Sequence, residues 1–105
     1  MRLGAPLFAR FSNPKEWIAA VRAKGYRAAY CPVDFDASPR EIADYAGAAA
    51  EADIVIAEVG AWCGPISRDQ DKRTAALEKC KRSLALAEAI GIYALIVAII
   101  LAMVA

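Results

Sequence analysis

The feature that most constrains the fold is a helix start that occurs twice, 25 positions apart: residues 13–16 read NPKE and residues 38–41 read SPRE. Asn13 and Ser38 can each accept a hydrogen bond from free backbone N–H groups of a first helical turn. A proline suits the first helical position, and a glutamate three residues after the cap completes a capping box. Both segments therefore predict a helix that begins at its proline.

Short apolar runs at residues 3–8, 28–33 and 53–59 alternate with these helices and predict three strands. A third helix is expected after Ser67 or Asp69, with an i,i+4 pair between Glu78 and Arg82. Strands that alternate with helices indicate an α/β fold with a parallel sheet and right-handed crossovers. The predicted order is strand–helix–strand–helix–strand–helix, with a fourth strand due after Gly91.

The C-terminal stretch, residues 89–105, contains seventeen consecutive uncharged residues. As a helix it would be about 25 Å long, at the short end for a membrane span. Three interpretations stay open: a helix buried against a partner or continuing the third helix, a fourth strand, or a membrane segment. We therefore divide the chain into a βα domain over 1–90 and an apolar segment over 91–105.

Charge and cysteine content exclude several classes of function. Thirteen lysines and arginines against twelve acidic residues leave a net charge of +1, too little for a surface that attracts nucleic acid. Three cysteines without short metal-type spacing suggest neither a disulfide framework nor a zinc site, and no export signal is visible at the start. The sequence predicts reduced thiols and a cytoplasmic protein.

Four segments carry a resemblance to a known family: MRLGAPLF, PKEWIAAVRAKGYRAAYCPVD, SPREIADYA and ADIVIAEVGAWCGPIS. Through them, residues 1 to about 90 resemble the N-terminal part of the sugar phosphate isomerase/epimerase family, the xylose-isomerase-like TIM barrels. The resemblance implies a (β/α)₈ barrel that uses a divalent metal, acid–base carboxylates and a histidine ligand. The chain has no histidine and ends where the fourth strand is due. We therefore expect a partial (β/α) barrel, truncated or redesigned, without a metal or other cofactor of its own and not catalytic by itself.

Three residues near predicted strand ends form the candidate sugar-binding set. Glu58 lies inside an apolar run near its end, at a position that faces substrate in a barrel. The alternatives are a pair with Arg27 or with a neighbouring strand, or a carboxylate that faces solvent at an edge. Trp62 offers a flat apolar wall to a sugar ring, or else covers the barrel rim or fills the core. Cys31 lies near the end of the second predicted strand, but without a histidine to act as base it is not a catalytic nucleophile.

Asp34 and Asp36 form a further candidate, a pair of carboxylates for a cation. Their position beside a turn and before a helix cap favours ordinary turn chemistry instead.

Three functions remain in competition. The first is an isomerase-like fragment that keeps a sugar-binding rim, and the second is a non-catalytic module that forms a homo-oligomer through exposed apolar surface. The third is a domain anchored to a membrane through residues 89–105.

Overall fold

The computed structural model of the protein describes residues 1–91, in which three helices alternate with three strands. The elements are β1 (Gly4–Ala5), α1 (Pro14–Ala23), β2 (Ala28–Tyr30), α2 (Pro39–Glu51), β3 (Val55–Glu58) and α3 (Gln70–Ile90). The strands form one parallel sheet in the order β1-β2-β3. This arrangement confirms the predicted α/β class and element order. The fourth strand and its helical and membrane alternatives fall on residues 92–105, outside the described residues.

The two predicted helix starts are confirmed in atomic detail. The Glu16 N–H donates to Asn13 Oδ1 at 2.9 Å, and the Glu41 N–H donates to Ser38 Oγ at 3.1 Å. The return bond of the first capping box goes one residue further back than expected, because Glu16 Oε2 accepts from the Ser12 N–H at 2.8 Å. Each helix thus begins through contacts among residues within four positions of one another, which is why a short motif predicts it.

The third helix also begins at one of its predicted positions. Asp69 Oδ1 accepts from the N–H groups of Asp71 and Lys72 at 3.0 and 3.2 Å, which satisfies two of the free donors of the first turn. The helix ends at Ile90 and is capped by Gly91, whose φ of +100° is the left-handed conformation that glycine adopts without strain.

The hydrophobic core lies between the sheet and the first two helices. Trp17 and Val21 of α1 are completely buried, and the Trp17 ring meets the Tyr45 ring edge-on with centroids 5.8 Å apart. Ala29 and Ile56 are paired neighbours in the sheet and face the same core. Alternate strand residues point to opposite faces, so the helices cover the face that carries Ala29 and Ile56.

The opposite face of the sheet is open within residues 1–91. Val55, which pairs with Ala28, is 44% exposed. Parallel sheets normally have both faces covered, because their crossovers and neighbouring elements pack on both sides. An apolar face that is uncovered within residues 1–91 is therefore unusual for a parallel sheet.

Two arginines and one aspartate tie the amino ends of the strands together. Asp53 follows α2 with a φ of +56°, and its carboxylate accepts from Arg2 at 2.8 Å and from Arg27 at 2.5 Å. Arg2 also donates to the Asp53 carbonyl oxygen at 2.6 Å. Hydrogen bonds from Arg2 and then from Arg27 hold the pKa of Asp53 below its usual range. Arg27 is thus engaged at this end of the sheet.

Arg82 is another residue whose partner differs from the predicted one. Its guanidinium pairs with Asp36 at 2.5 Å and lies 4.5 Å from the centre of the Phe35 ring, so it reaches the loop before α2. The predicted pair with Glu78 would have kept it on its own helix. A tertiary contact that combines a charge with an aromatic face outweighs an exposed i,i+4 pair, which contributes only a few tenths of a kcal/mol.

Candidate functional site

A cavity of about 330 Å³ lies where β2 and β3 end, between the loops that follow these strands and α3. In open parallel sheets, ligands bind outside the carboxyl ends of the strands. The volume lies at the lower end of the range for small-molecule sites. The lining includes aromatic, charged, thiol and hydroxyl side chains, among them Cys31, Asp34, Phe35, Trp62, Lys79 and Ser83.

Trp62 stands at the rim of this cavity. Its side chain is 74% exposed, and its indole lies directly against the backbone of Gly60, where a Cβ atom would come within 2.4 Å of Nε1. Gly60 therefore provides the space that the indole occupies. The structure places Trp62 as an accessible aromatic wall and not as part of the buried core.

Cys31 lines the same cavity as a neutral thiol. Its Sγ donates to the Val33 carbonyl oxygen at 3.3 Å, and its backbone N–H donates to the Glu58 carbonyl oxygen at 2.8 Å. Burial raises the pKa of the Cys31 thiol, the Val33 bond lowers it, and the nearby Asp34 carboxylate raises it further. A thiol in this state packs and donates a weak hydrogen bond but is a poor nucleophile.

Glu58 lies next to the cavity without lining it. The residue ends β3, opposite Tyr30 in the sheet register, and is half-buried. Arg27, one partner considered for it, binds Asp53 at the other end of the sheet. Of the three predicted binding residues, the structure thus brings Trp62 and Cys31 to one cavity and leaves the Glu58 carboxylate beside it.

Asp34 and Asp36 do not form a shared cation site. Asp34 Oδ1 accepts from the Phe35 N–H at 2.7 Å, which is turn chemistry, while Asp36 binds Arg82. Within residues 1–91, no three side chains of histidine, cysteine, aspartate or glutamate lie close enough together to hold a metal ion. Asp34 instead contributes its carboxylate to the wall of the cavity.

Lys79 and Ser83, which sequence reasoning did not select, provide polar groups on the α3 side of the cavity. The Lys79 ammonium donates to the Trp62 carbonyl oxygen at 3.2 Å and retains two further N–H groups. Ser83 is 4% exposed, and its Oγ has no hydrogen-bond partner within the described part of the chain. The i,i+4 spacing of these residues puts them on one face of α3, and this spacing was the feature of the sequence that could have identified them.

The buried hydroxyl of Ser83 is the most informative group of the site. A buried polar group without a partner costs about 1–3 kcal/mol. Ser83 carries this cost at the wall of a cavity that also contains aromatic and charged side chains. Because Ser83 Oγ itself has almost no accessible surface, a hydroxyl-bearing ligand would give it a partner only when the side chain turns toward the cavity.

Comparison with known proteins finds no matching family model, no matching curated protein and no matching solved structure. Within residues 1–91, no helix combines the length and apolar character needed to cross a membrane.

Proposed function

We propose that the chain is a βα module that binds a small polyhydroxylated ligand, such as a sugar, at the carboxyl ends of its strands and does not turn it over by itself. The observation that carries this proposal is the buried, unpartnered hydroxyl of Ser83, a residue that lines the cavity and whose side chain can turn toward it. The partial-barrel architecture and the relation to sugar phosphate isomerases and epimerases belong to the same proposal, with the three parallel strands and their helices as support.

The chemistry of the cavity suits a sugar. The face of Trp62 can pack against the C–H groups of a ring, while hydroxyl groups bond to polar side chains around it. Lys79 offers two donors, Asp34 offers carboxylate oxygens, and Ser83, once its side chain turns toward the cavity, offers one donor and two acceptor lone pairs. A ligand with hydroxyl groups on several sides of an apolar ring matches this distribution.

Calorimetric titration of the full chain with D-xylose, D-fructose and their phosphate monoesters tests the proposal. We expect saturable binding of at least one of these probes. Trp62→Ala should weaken it by about threefold to tenfold, the equivalent of losing one aromatic contact. Ile66→Ala, in the same loop and 92% exposed, is the matched control and should leave the affinity unchanged.

Ser83→Ala is a second test, in which the stability of the protein should rise while its affinity for the ligand falls. Removing an unsatisfied buried hydroxyl should raise the free energy of unfolding of the ligand-free protein, by up to about 1–3 kcal/mol. The same substitution should weaken binding, because the ligand loses a partner. The proposal is wrong if none of the probes binds, or if Ser83→Ala stabilises the protein and leaves the affinity of a binding probe unchanged.

A second candidate function, self-association, is favoured by the uncovered side of the sheet. An apolar groove of about 460 Å³ runs alongside β3. It is lined by residues 54–57 in and next to the strand, by alanines of α2 and by Ile90. Within the described residues, β3 has no further strand on its outer edge, and Val55 is exposed on the open face. An apolar sheet edge and face of this kind pair readily with another chain, and we propose a second copy of this protein as the partner.

Light scattering after chromatography tests self-association with two lysine variants of similar exposure. Val55 is 44% exposed on the sheet, and Leu77 is 46% exposed on α3. We expect the parent to have the mass of an oligomer, Val55→Lys to reduce it, and Leu77→Lys to leave it unchanged. A detergent-free monomeric parent, or an equal effect of both lysines, contradicts this second function.

A third variant of the same experiment ends at Ile90. The uncharged residues after it are the other apolar segment that the sequence predicts to take part in self-association. Loss of the oligomer in this variant assigns the contact to the apolar segment, whereas an unchanged oligomer assigns it to the sheet.

A further inference from the structure

Two cysteines that are far apart in sequence meet in the described fold. Cys63 lies in the loop between β3 and α3, and Cys80 lies on α3. Their Sγ atoms are 3.6 Å apart, and both residues are half-buried. The third cysteine, Cys31, bonds instead to the Val33 carbonyl oxygen.

The separation of the sulfur atoms is close to their van der Waals contact. A disulfide bond requires about 2.05 Å, so the two atoms must approach by about 1.5 Å. Cys80 is held by the helix, whereas Cys63 belongs to a loop without helix or strand and is followed by Gly64. The other contacts of Cys63 Sγ, to the carbonyl oxygens of Ala61 and Ala76, are long sulfur bonds of 3.4 and 3.5 Å. A small movement of the loop therefore suffices.

We propose that Cys63 and Cys80 are a thiol–disulfide modification site, oxidised reversibly by a low-molecular-weight disulfide such as glutathione disulfide. One protein thiol loses its proton, and the thiolate attacks a sulfur of the oxidant, which releases one glutathione thiolate. The second protein thiolate then attacks the protein sulfur of the mixed disulfide and releases the second glutathione. Two electrons pass from the protein sulfurs to the oxidant, and the two protons go to the released thiolates.

The surroundings of Cys63 determine how fast this exchange is at neutral pH. Burial raises the pKa of the Cys63 thiol, and so does the neighbouring Cys80, while the Lys79 ammonium lowers it. The net effect is a raised pKa, so most of the thiol stays protonated at neutral pH and the thiolate needed for attack is scarce. Oxidation should therefore accelerate as the pH rises.

The experiment incubates the full chain with glutathione disulfide and glutathione in varied ratios, followed by acid quenching and alkylation. Intact mass and peptide mapping then identify the thiols that remain. We expect two of the three thiols to be lost in the oxidising mixtures, with a disulfide that joins Cys63 to Cys80 within one chain, and dithiothreitol to restore all three. Cys31→Ser should form the same bond, whereas Cys63→Ser and Cys80→Ser should not form an intramolecular one.

Circular dichroism of each serine variant shows whether it keeps the parent fold, and the parent in urea is the control for chance pairing. Four outcomes overturn the proposal: three free thiols in the most oxidising mixture, a bond that involves Cys31, a bond between chains only, or stable glutathione adducts without ring closure. Formation of the Cys63–Cys80 bond at the same rate in urea as in buffer also overturns it, because the fold would then contribute nothing to the pairing.

Discussion

Replacing Gly4 with alanine puts a methyl group where the sheet has no room for one. A Cβ atom at Gly4 would lie 2.4 Å from the Ala28 carbonyl oxygen and 2.7 Å from its carbon. Both are backbone atoms of the adjacent strand, so no side-chain rotation relieves the overlap. β1 must therefore move away from β2, which weakens the hydrogen bonds that Leu3 O accepts from the N–H groups of Arg27 and Ala28, at 2.9 and 3.2 Å.

The expected loss of stability follows from these contacts. Forcing extra atoms into a packed position costs about 1–3 kcal/mol, and each backbone hydrogen bond contributes about 1 kcal/mol. We expect Gly4→Ala to lower the free energy of unfolding by about 2–3 kcal/mol. Gly47 is the matched control, because it is exposed inside α2 and its Cβ would meet nothing within 4 Å. There alanine should raise stability by about 0.5–1 kcal/mol through its better helix propensity.

Urea unfolding followed by far-ultraviolet circular dichroism measures both variants against the parent. The same chemical change should thus shift the midpoint in opposite directions at the two positions. A Gly4→Ala protein as stable as the parent would show that β1 does not pack against β2 as described. Equal destabilisation by both variants would show that alanine acts through something other than the close approach of the strands.

Three further predictions concern charge and activity. Asp53→Asn should destabilise the protein at neutral pH, and the gap to the parent should close in acid unfolding curves. Because the folded-state pKa of Asp53 is lowered, its contribution is complete above its ordinary pKa of 3.8 and is lost as the pH falls through the lower value. Glu58→Gln should change the unfolding free energy by less than about 1 kcal/mol in urea titrations, since no ion pair within residues 1–91 involves it; a loss above about 2 kcal/mol would reveal a buried charge pair. Sugar isomerisation assays should detect no metal-dependent turnover, since the chain contains no histidine; activity abolished by EDTA and restored by Mn²⁺ would contradict this.

The helices were predictable because their start signals are local. The caps at Asn13, Ser38 and Asp69 each bond within three residues, so a few letters of sequence contain the whole interaction. The predicted strands were longer than those observed: the run at 3–8 contains only Gly4–Ala5 as strand. An apolar run indicates burial, but the length of a strand depends on where a neighbour supplies hydrogen-bond partners, and that neighbour is distant in sequence.

The candidate site was predictable only in part, for the same reason. Trp62 and Cys31 follow strand ends, and the parallel topology brings such positions to one edge. Ser83 and Lys79 belong to the far side of the cavity, and only the packing of α3 against the loops shows that they face it. The approach of Cys63 to Cys80 likewise depends on how the loop after β3 lies on that helix. The i,i+4 spacing of Lys79 and Ser83 indicates that they share one face of α3 but not what that face meets, and the spacing of Cys63 and Cys80 does not indicate their contact.

The shortness of β1 implies an order of events in folding and opening. The connections that bring the strands together are of similar length, because Gly4 and Ala28 are 24 positions apart and Ala28 and Val55 are 27 positions apart. Closing either loop therefore costs a similar chain entropy, but a strand of two residues offers fewer hydrogen bonds in return than the four-residue β3. β1 should therefore join the sheet last and detach first. In native-state hydrogen exchange, the amides of Arg27 and Ala28, which bond to Leu3, should exchange through this partial opening. The amides of Val55 and Cys31, which connect β2 with β3, should exchange only when the sheet itself comes apart.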